Sequence, residues 1–175
     1  MISALGYGIW KMNKDIEKIS SKPPEITIPK KAETKEIDTS DWKTYANEKY
    51  GFEVKYPKEW KVKENAPGSI EFSLEKSFFQ SAILLDIHNN SKGLSVKDFI
   101  TQIASKPDEY CGVPFDPESG IPIFVSGVEG LKFGPRCFSD GIILVGYKGF
   151  IYMFDGVGGT SEILDRMIST FQFIK

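Results

Sequence analysis

The chain has 175 residues, with 22 Lys plus Arg against 24 Asp plus Glu, a formal net charge of −2 that excludes a generally basic nucleic-acid binder. Hydrophobic residues make up 41% and charged residues 26%, an ordinary globular balance for one domain plus a tail. One His and two Cys are too few for a structural zinc site of the Cys/His kind or for a disulfide-dense mini-fold.

The chain opens on MISALGYGIW, apolar without a charge until Lys11. About 10 residues cannot cross a hydrocarbon core that needs roughly 20, and neither a positive n-region nor an A-x-A cleavage pattern marks a secretory signal. The stretch suits the outer end of a longer membrane helix, with Trp10, Lys11 and Lys14 at the interface. A packed or disordered terminus is the alternative. Ile9, Met12, Ile16 and Ile19 fall at helical spacing, so the spacing predicts a helical segment within residues 1–20. Residues 21–40 set Pro23, Pro24 and Pro29 in a Lys/Glu/Thr background and read as an extended linker. The globular domain is expected over residues 41–175.

Its first clear strand is Gly51 to Pro57, where Phe52, Val54 and Tyr56 alternate with Glu53 and Lys55, and Trp60 and Val62 continue the alternation. Ser69 to Glu75 puts Ile70, Phe72 and Leu74 on one face, and Ser81 to His88 adds Ile83, Leu85 and Ile87. Ala82 and Leu84 indicate that the other side is partly covered too, which calls for helices or a second layer. Ser95 with Asp98 three residues on caps a helix whose Val96, Phe99, Ile100, Ile103 and Ala104 form the apolar side until Pro107 stops it. A β-rich block follows, with strands at Ile121 to Ser126, Val128 to Phe133, Gly141 to Tyr147 and Phe150 to Asp155, the last two joined by the turn Lys148-Gly149. A final helix starts after Gly159, capped by Thr160 or Ser161, with Ile163, Leu164, Met167, Ile168 and Phe171 as its stripe. Consecutive strands with tight turns imply antiparallel pairing, so the fold class is α+β rather than a doubly wound parallel sheet.

Trp42, Tyr45 and Asn47, then GFEVKYPKEW from Gly51 to Trp60, and the closing ILDRMISTFQF from Ile163 to Phe173 give the chain a recognisable signature. It resembles the PsbP-like domain, a fold shared by the extrinsic subunit of the photosynthetic oxygen-evolving complex, a Ran-binding nuclear-import protein and many bacterial lipoproteins or singly anchored proteins. The resemblance covers about residues 41 to 175. It implies an antiparallel β-sheet flanked by helices, an α/β/α sandwich, usually without enzymatic chemistry and serving as an accessory or binding domain outside the cytoplasm. The acidic, linker-bearing arrangement looks more like the bacterial anchored proteins than the photosynthetic subunit, and no catalytic motif is carried over. From packing alone, Trp42, Tyr56 and Trp60 are core and sheet-edge residues rather than a ligand site.

The remaining constellations are weak. Gly156-Val157-Gly158-Gly159-Thr160-Ser161 lies between strand and helix but lacks the Gly-Lys-Ser/Thr end of a P-loop and the sixth Gly of a dinucleotide fingerprint, so it reads as a flexible turn. His88 shares a strand face with Asp86, yet no Ser or Cys is placed to act as nucleophile, and a solvated His near a strand end is the expectation. Asn89-Asn90-Ser91 is formally a glycosylation sequon. Cys111 and Cys137 sit in Gly/Pro-rich loops, and a disulfide between them would close a loop of about 25 residues worth roughly 3 kcal/mol; two inert buried thiols are the alternative. Asp108, Glu109, Asp116 and Glu118 lack the spacing of a calcium loop and read as a solvated acidic segment. Tyr110 and Phe115 there, and Phe78 and Phe79 between two strands, are candidate partner contacts, with local packing as the alternative.

These readings lead to a non-enzymatic, extracytoplasmic, membrane-tethered accessory or binding domain without a cofactor, whose partner is a protein or cell-envelope component. A cytoplasmic protein-binding adaptor of the same fold is the alternative, and a small hydrolase built on His88 a more distant one.

Overall fold

The computed structural model describes residues 37–74, 81–104 and 116–174, all within a compact unit that spans Ile37–Lys175. In chain order the elements are β1 (Lys43–Asn47), β2 (Phe52–Tyr56), β3 (Lys61–Ala66), β4 (Ser69–Ser73), β5 (Ala82–Asn89), α1 (Val96–Ala104), β6 (Ile121–Val125), β7 (Val128–Phe133), β8 (Ser139–Tyr147), β9 (Phe150–Val157), α2 (Ser161–Thr170) and β10 (Gln172–Phe173). A single 3-10 turn at Pro117–Ser119 precedes β6.

The strands form two antiparallel sheets, one of seven in the order β3-β4-β5-β9-β8-β7-β6 and one of three in the order β1-β2-β10. Residues alternate across the large sheet, and each face has its own cover. Ile70, Phe72, Ile83, Leu85, Ile143, Val145, Tyr152 and Phe154 face one way and pack with Phe52 and Val54 of the small sheet and with Leu164, Met167 and Ile168 of α2. Phe133, Leu144 and Ile151 face the other way, under Phe99 and Ile100 of α1. The result is three layers: α1, the large sheet, then the small sheet with α2.

Aromatic rings knit the inner layer. Phe171 stacks on Phe52 at 5.3 Å and meets the edge of Phe154 at the same distance, while Tyr152 donates its hydroxyl to the Tyr50 carbonyl at 2.6 Å. Trp60 is buried, and Trp42 and Tyr56 pack against the same core, as their packing role requires.

Local signals explain most element ends. The Asp98 amide donates to Ser95 Oγ at 3.1 Å, and that hydroxyl donates to Asp98 Oδ2 at 2.7 Å, which fixes the start of α1. Two-residue hairpins join β6 to β7 and β8 to β9, with positive φ at Ser126 (51°) and Gly127 (79°), and at Lys148 (46°) and Gly149 (80°). Those angles match the right-handed twist of the flanking strands.

Three features depart from the sequence expectations. Strands β1 and β10 were not anticipated; β1 is mostly exposed, and β10 has two residues, so both depend on the pairing offered by β2. Thr160 stands at the cap position of α2 but its side chain makes no cap bond. Fully buried instead, its Oγ1 bonds the Ala82 carbonyl and Asp140 Oδ2, while Asp140 Oδ2 accepts from the Thr160 amide at 2.6 Å. A carboxylate from the start of β8 thus holds the cap residue by its amide and hydroxyl, where a local hydroxyl was expected to accept from the first turn of the helix. The third departure concerns His88.

Candidate functional site

The side of β5 that carries Leu84, Asp86 and His88 is the side on which α1 lies. His88 is therefore half-buried rather than solvated, its ring 5.1 Å from that of Phe99. Its Nε2 reaches neither solvent nor a hydrogen-bond partner. Buried polar atoms are usually paired, so this nitrogen is an exception that marks the place.

A cleft of about 420 Å³ opens there, lined by His88, Asn89, Asn90, Ser91, Lys92, Leu94, Phe99, Gln102 and Ile103. Its rim is held by Asn90, which bridges the backbone of the turn. Asn90 Nδ2 donates to the Leu94 carbonyl and Oδ1 accepts from the Leu94 amide, both at 2.9 Å, while the Asn90 amide donates to the Gly149 carbonyl at 2.7 Å. Asn89 Oδ1 accepts from the Ser91 amide, a second closed turn next to the first. The loop between β5 and α1 is thereby fixed to the tip of the β8–β9 hairpin.

Among the described residues, the cleft lining brings no hydrogen-bonded nucleophile and base together. No hydrogen bond joins His88 to Asp86 or to the Ser91 hydroxyl among the described residues. Asp86 acts instead on Asp155 of β9, a neighbour across the sheet. Asp155 is pushed above the ordinary carboxylate range, first by burial and then by the charges of Asp86 and Asp140, against a lowering hydrogen bond from Ser139. Its Oδ1 also lacks a partner. Among the described residues no three His, Cys, Asp or Glu side chains converge in a metal-holding group.

Two smaller hollows flank the tip of the β8–β9 hairpin. One of about 340 Å³ lies toward the start of α1, and one of about 240 Å³ is walled by Tyr50, Tyr147, Phe150 and Tyr152. Ring packing stiffens the walls of the second: Tyr50 meets Phe150 edge-on at 5.6 Å, and Tyr147 stacks on Phe173 at 3.9 Å.

Cys137 sits in the tight turn between β7 and β8, where Arg136 and Ser139 exchange backbone hydrogen bonds. Its φ is 42°, and its sulfur is in a disulfide rather than a free thiol. Cys111 lies outside the described residues, as do the candidate partner contacts Phe78, Phe79, Tyr110 and Phe115 and the segments at 1–20 and 21–36. The Gly156–Ser161 loop makes the turn into α2, with positive φ at Gly158 and Gly159. Sequence reasoning weighed His88 only for catalysis and did not find the cleft; the polar run Asn89-Asn90-Ser91 directly after it was the available signal.

Layers, topology and site together define an α+β protein of PsbP-like fold, mostly antiparallel β-sheet with two helices among the described residues. The chain is similar to the cyanobacterial PsbP (CyanoP) of Synechocystis sp. PCC 6803, known from a solution structure, with a TM-score of 0.55 at 13% identity over 78% of this chain and 95% of that one. A crystal structure from Bacteroides thetaiotaomicron VPI-5482 matches with a TM-score of 0.53 at 12% identity, over 76% of this chain and 48% of the Bacteroides chain. This chain therefore spans about half the length of that neighbour, and at such identities the likeness is one of fold. No family model and no curated protein matches the chain.

Proposed function

We propose that this chain is a non-enzymatic accessory domain that works outside the cytoplasm, tethered to a membrane through residues 1–20 and binding a protein or another cell-envelope component. The observation that carries the reading is the disulfide at Cys137. Disulfides persist in oxidising compartments and are rare in reducing ones. Cys111 is the proposed mate, since the chain has two cysteines, and the bond would close a loop of about 25 residues and stabilise the domain by roughly 3 kcal/mol.

Three further points support it. The fold is PsbP-like. Among the described residues, no carboxylate or hydroxyl hydrogen-bonds the lone His to make it a general base. The apolar start MISALGYGIW and the prolines that follow suit a tether and spacer. Intact mass of the natively produced, membrane-fractionated protein, alkylated with and without prior reduction, tests the reading. A membrane-associated species whose cysteines alkylate only after reduction is the expected result. A soluble species with both thiols freely alkylated overturns it and favours a cytoplasmic adaptor of the same fold.

A further inference from the structure

The cleft beside His88 has the dimensions of a small-molecule site with one apolar wall and a polar rim, and we propose that it binds a compact anion with a flat apolar body, of which an aromatic carboxylate is the simplest example. Size comes first: about 420 Å³ falls inside the range of roughly 300–1,000 Å³ typical of ligand pockets. One wall is apolar, built from Leu94, Phe99 and Ile103. Phe99 and its neighbour Ile100 are buried against the sheet, whereas Ile103, on the same stripe of α1, remains 41% exposed. The helix thus packs Val96, Phe99 and Ile100 against the core and leaves Ile103 on the cleft.

Charge selects the ligand. Lys92 is the one formally charged residue among the described residues that line the cleft, and it takes part in no ion pair there. Elsewhere Lys97 pairs with Glu118 and Lys132 with Asp165. An ammonium without an ion pair on a residue that lines the cleft favours an anion and opposes a cation. His88 is one of the lining residues, and its Nε2 lies sealed behind that lining, so the ring reports on the cleft without offering this nitrogen to a ligand. The rim is already in place, because Asn90 clamps Leu94 on one side and the Gly149 carbonyl on the other. A preformed rim lowers the ordering cost of binding.

The proposal is independent of the tether and compartment argued above, and the alkylation result leaves it standing or falling on its own. His88 is the chain's only histidine, so its Hε1 proton is a single resolved reporter of the cleft in a proton NMR spectrum. Oxidised, full-length protein is titrated with benzoate, and with benzyl alcohol and benzylammonium as neutral and cationic counterparts. Benzoate should shift the His88 Hε1 resonance saturably in the millimolar range or below, with benzyl alcohol about two- to fivefold weaker and benzylammonium weaker still. Lys92→Gln should bring benzoate down to the level of benzyl alcohol. Ile103→Trp changes an exposed position and fills the cleft, so it should abolish the response to all three while the remaining spectrum stays folded. The proposal is overturned by the absence of a saturable shift up to roughly 20 mM benzoate, by equal affinity for the three probes, or by an unchanged response in Ile103→Trp.

Discussion

Asp155 puts the electrostatics of the large sheet to a direct test. It sits on β9 opposite Leu84 of β5 and Ile142 of β8, on the α1 side, with Oδ1 sealed from solvent and unpaired. Burial raises its proton affinity, the carboxylates of Asp86 and Asp140 add to the effect, and the Ser139 hydrogen bond only partly offsets it. The folded state therefore holds this proton more tightly than the unfolded chain, whose value is the ordinary 3.8. Under proton linkage, stability falls as pH climbs from that value through the raised one, and stays lower above it. Asp155→Asn keeps the shape and removes the charge. Each tenfold rise in proton affinity corresponds to about 1.4 kcal/mol of penalty on the charged form, and a carboxylate that is only partly buried is screened below such a figure, so the variant should gain about 1 kcal/mol near neutrality. For a unit of this size that is a rise in Tm of roughly 3 °C. Thermal unfolding by circular dichroism, with variant and wild type compared at about pH 7.5 and about pH 3.5, separates the cause, because the gain should shrink as both states become protonated. A loss of stability at neutral pH, or an equal gain at both, would refute the account of Asp155 as an uncompensated charge.

The seam between β9 and α2 is tight: a Cβ built on Gly156 would lie 2.8 Å from Thr160 Oγ1 and 3.4 Å from Leu164 Cδ2. Gly156→Ala should therefore cost about 1–3 kcal/mol in urea unfolding through overpacking of a fully buried threonine, and an unchanged midpoint would show that Thr160 can move. Phe171, 2% exposed, stacks on Phe52 and contacts Tyr152, Phe154 and Phe173, so Phe171→Ala should lose about 3–5 kcal/mol by the same assay. A loss below about 1 kcal/mol would mean that the small sheet and the large one are not held together through this ring.

Strand positions were legible because a period of two is a local property. Phe52 and Val54, Ile70 and Phe72, and Ile83 and Leu85 all face the core they were expected to face. The Ser95–Asp98 box and the turn at Lys148-Gly149 were legible for a similar reason, since capping and positive φ are decided within a few residues. His88 was misread as solvated because alternation says only that it faces away from Ile87, and whether that side meets water depends on where α1 comes to rest. The candidate site inherits the same limit. Asn89, Asn90 and Ser91 could be seen as a polar turn, but the cleft they rim exists only because Phe99 and Ile103 arrive opposite His88.

Thr160 makes the distinction at one residue. Its place just before an amphipathic stretch was sufficient to locate the start of α2, yet the group that holds its amide is Asp140, 20 residues earlier in the chain. β10 makes it again: Gln172 and Phe173 carry too little pattern to announce a strand and become one because β2 presents an open edge at Glu53 and Phe52. The sequence by itself determined the faces, the caps of local origin, the turns and the α+β class, since each rests on interactions a few bonds or one helical turn apart. Only the tertiary structure decided which layer covers each face, which carboxylates are left without partners and where a cleft remains, since these depend on contacts between segments far apart in the chain.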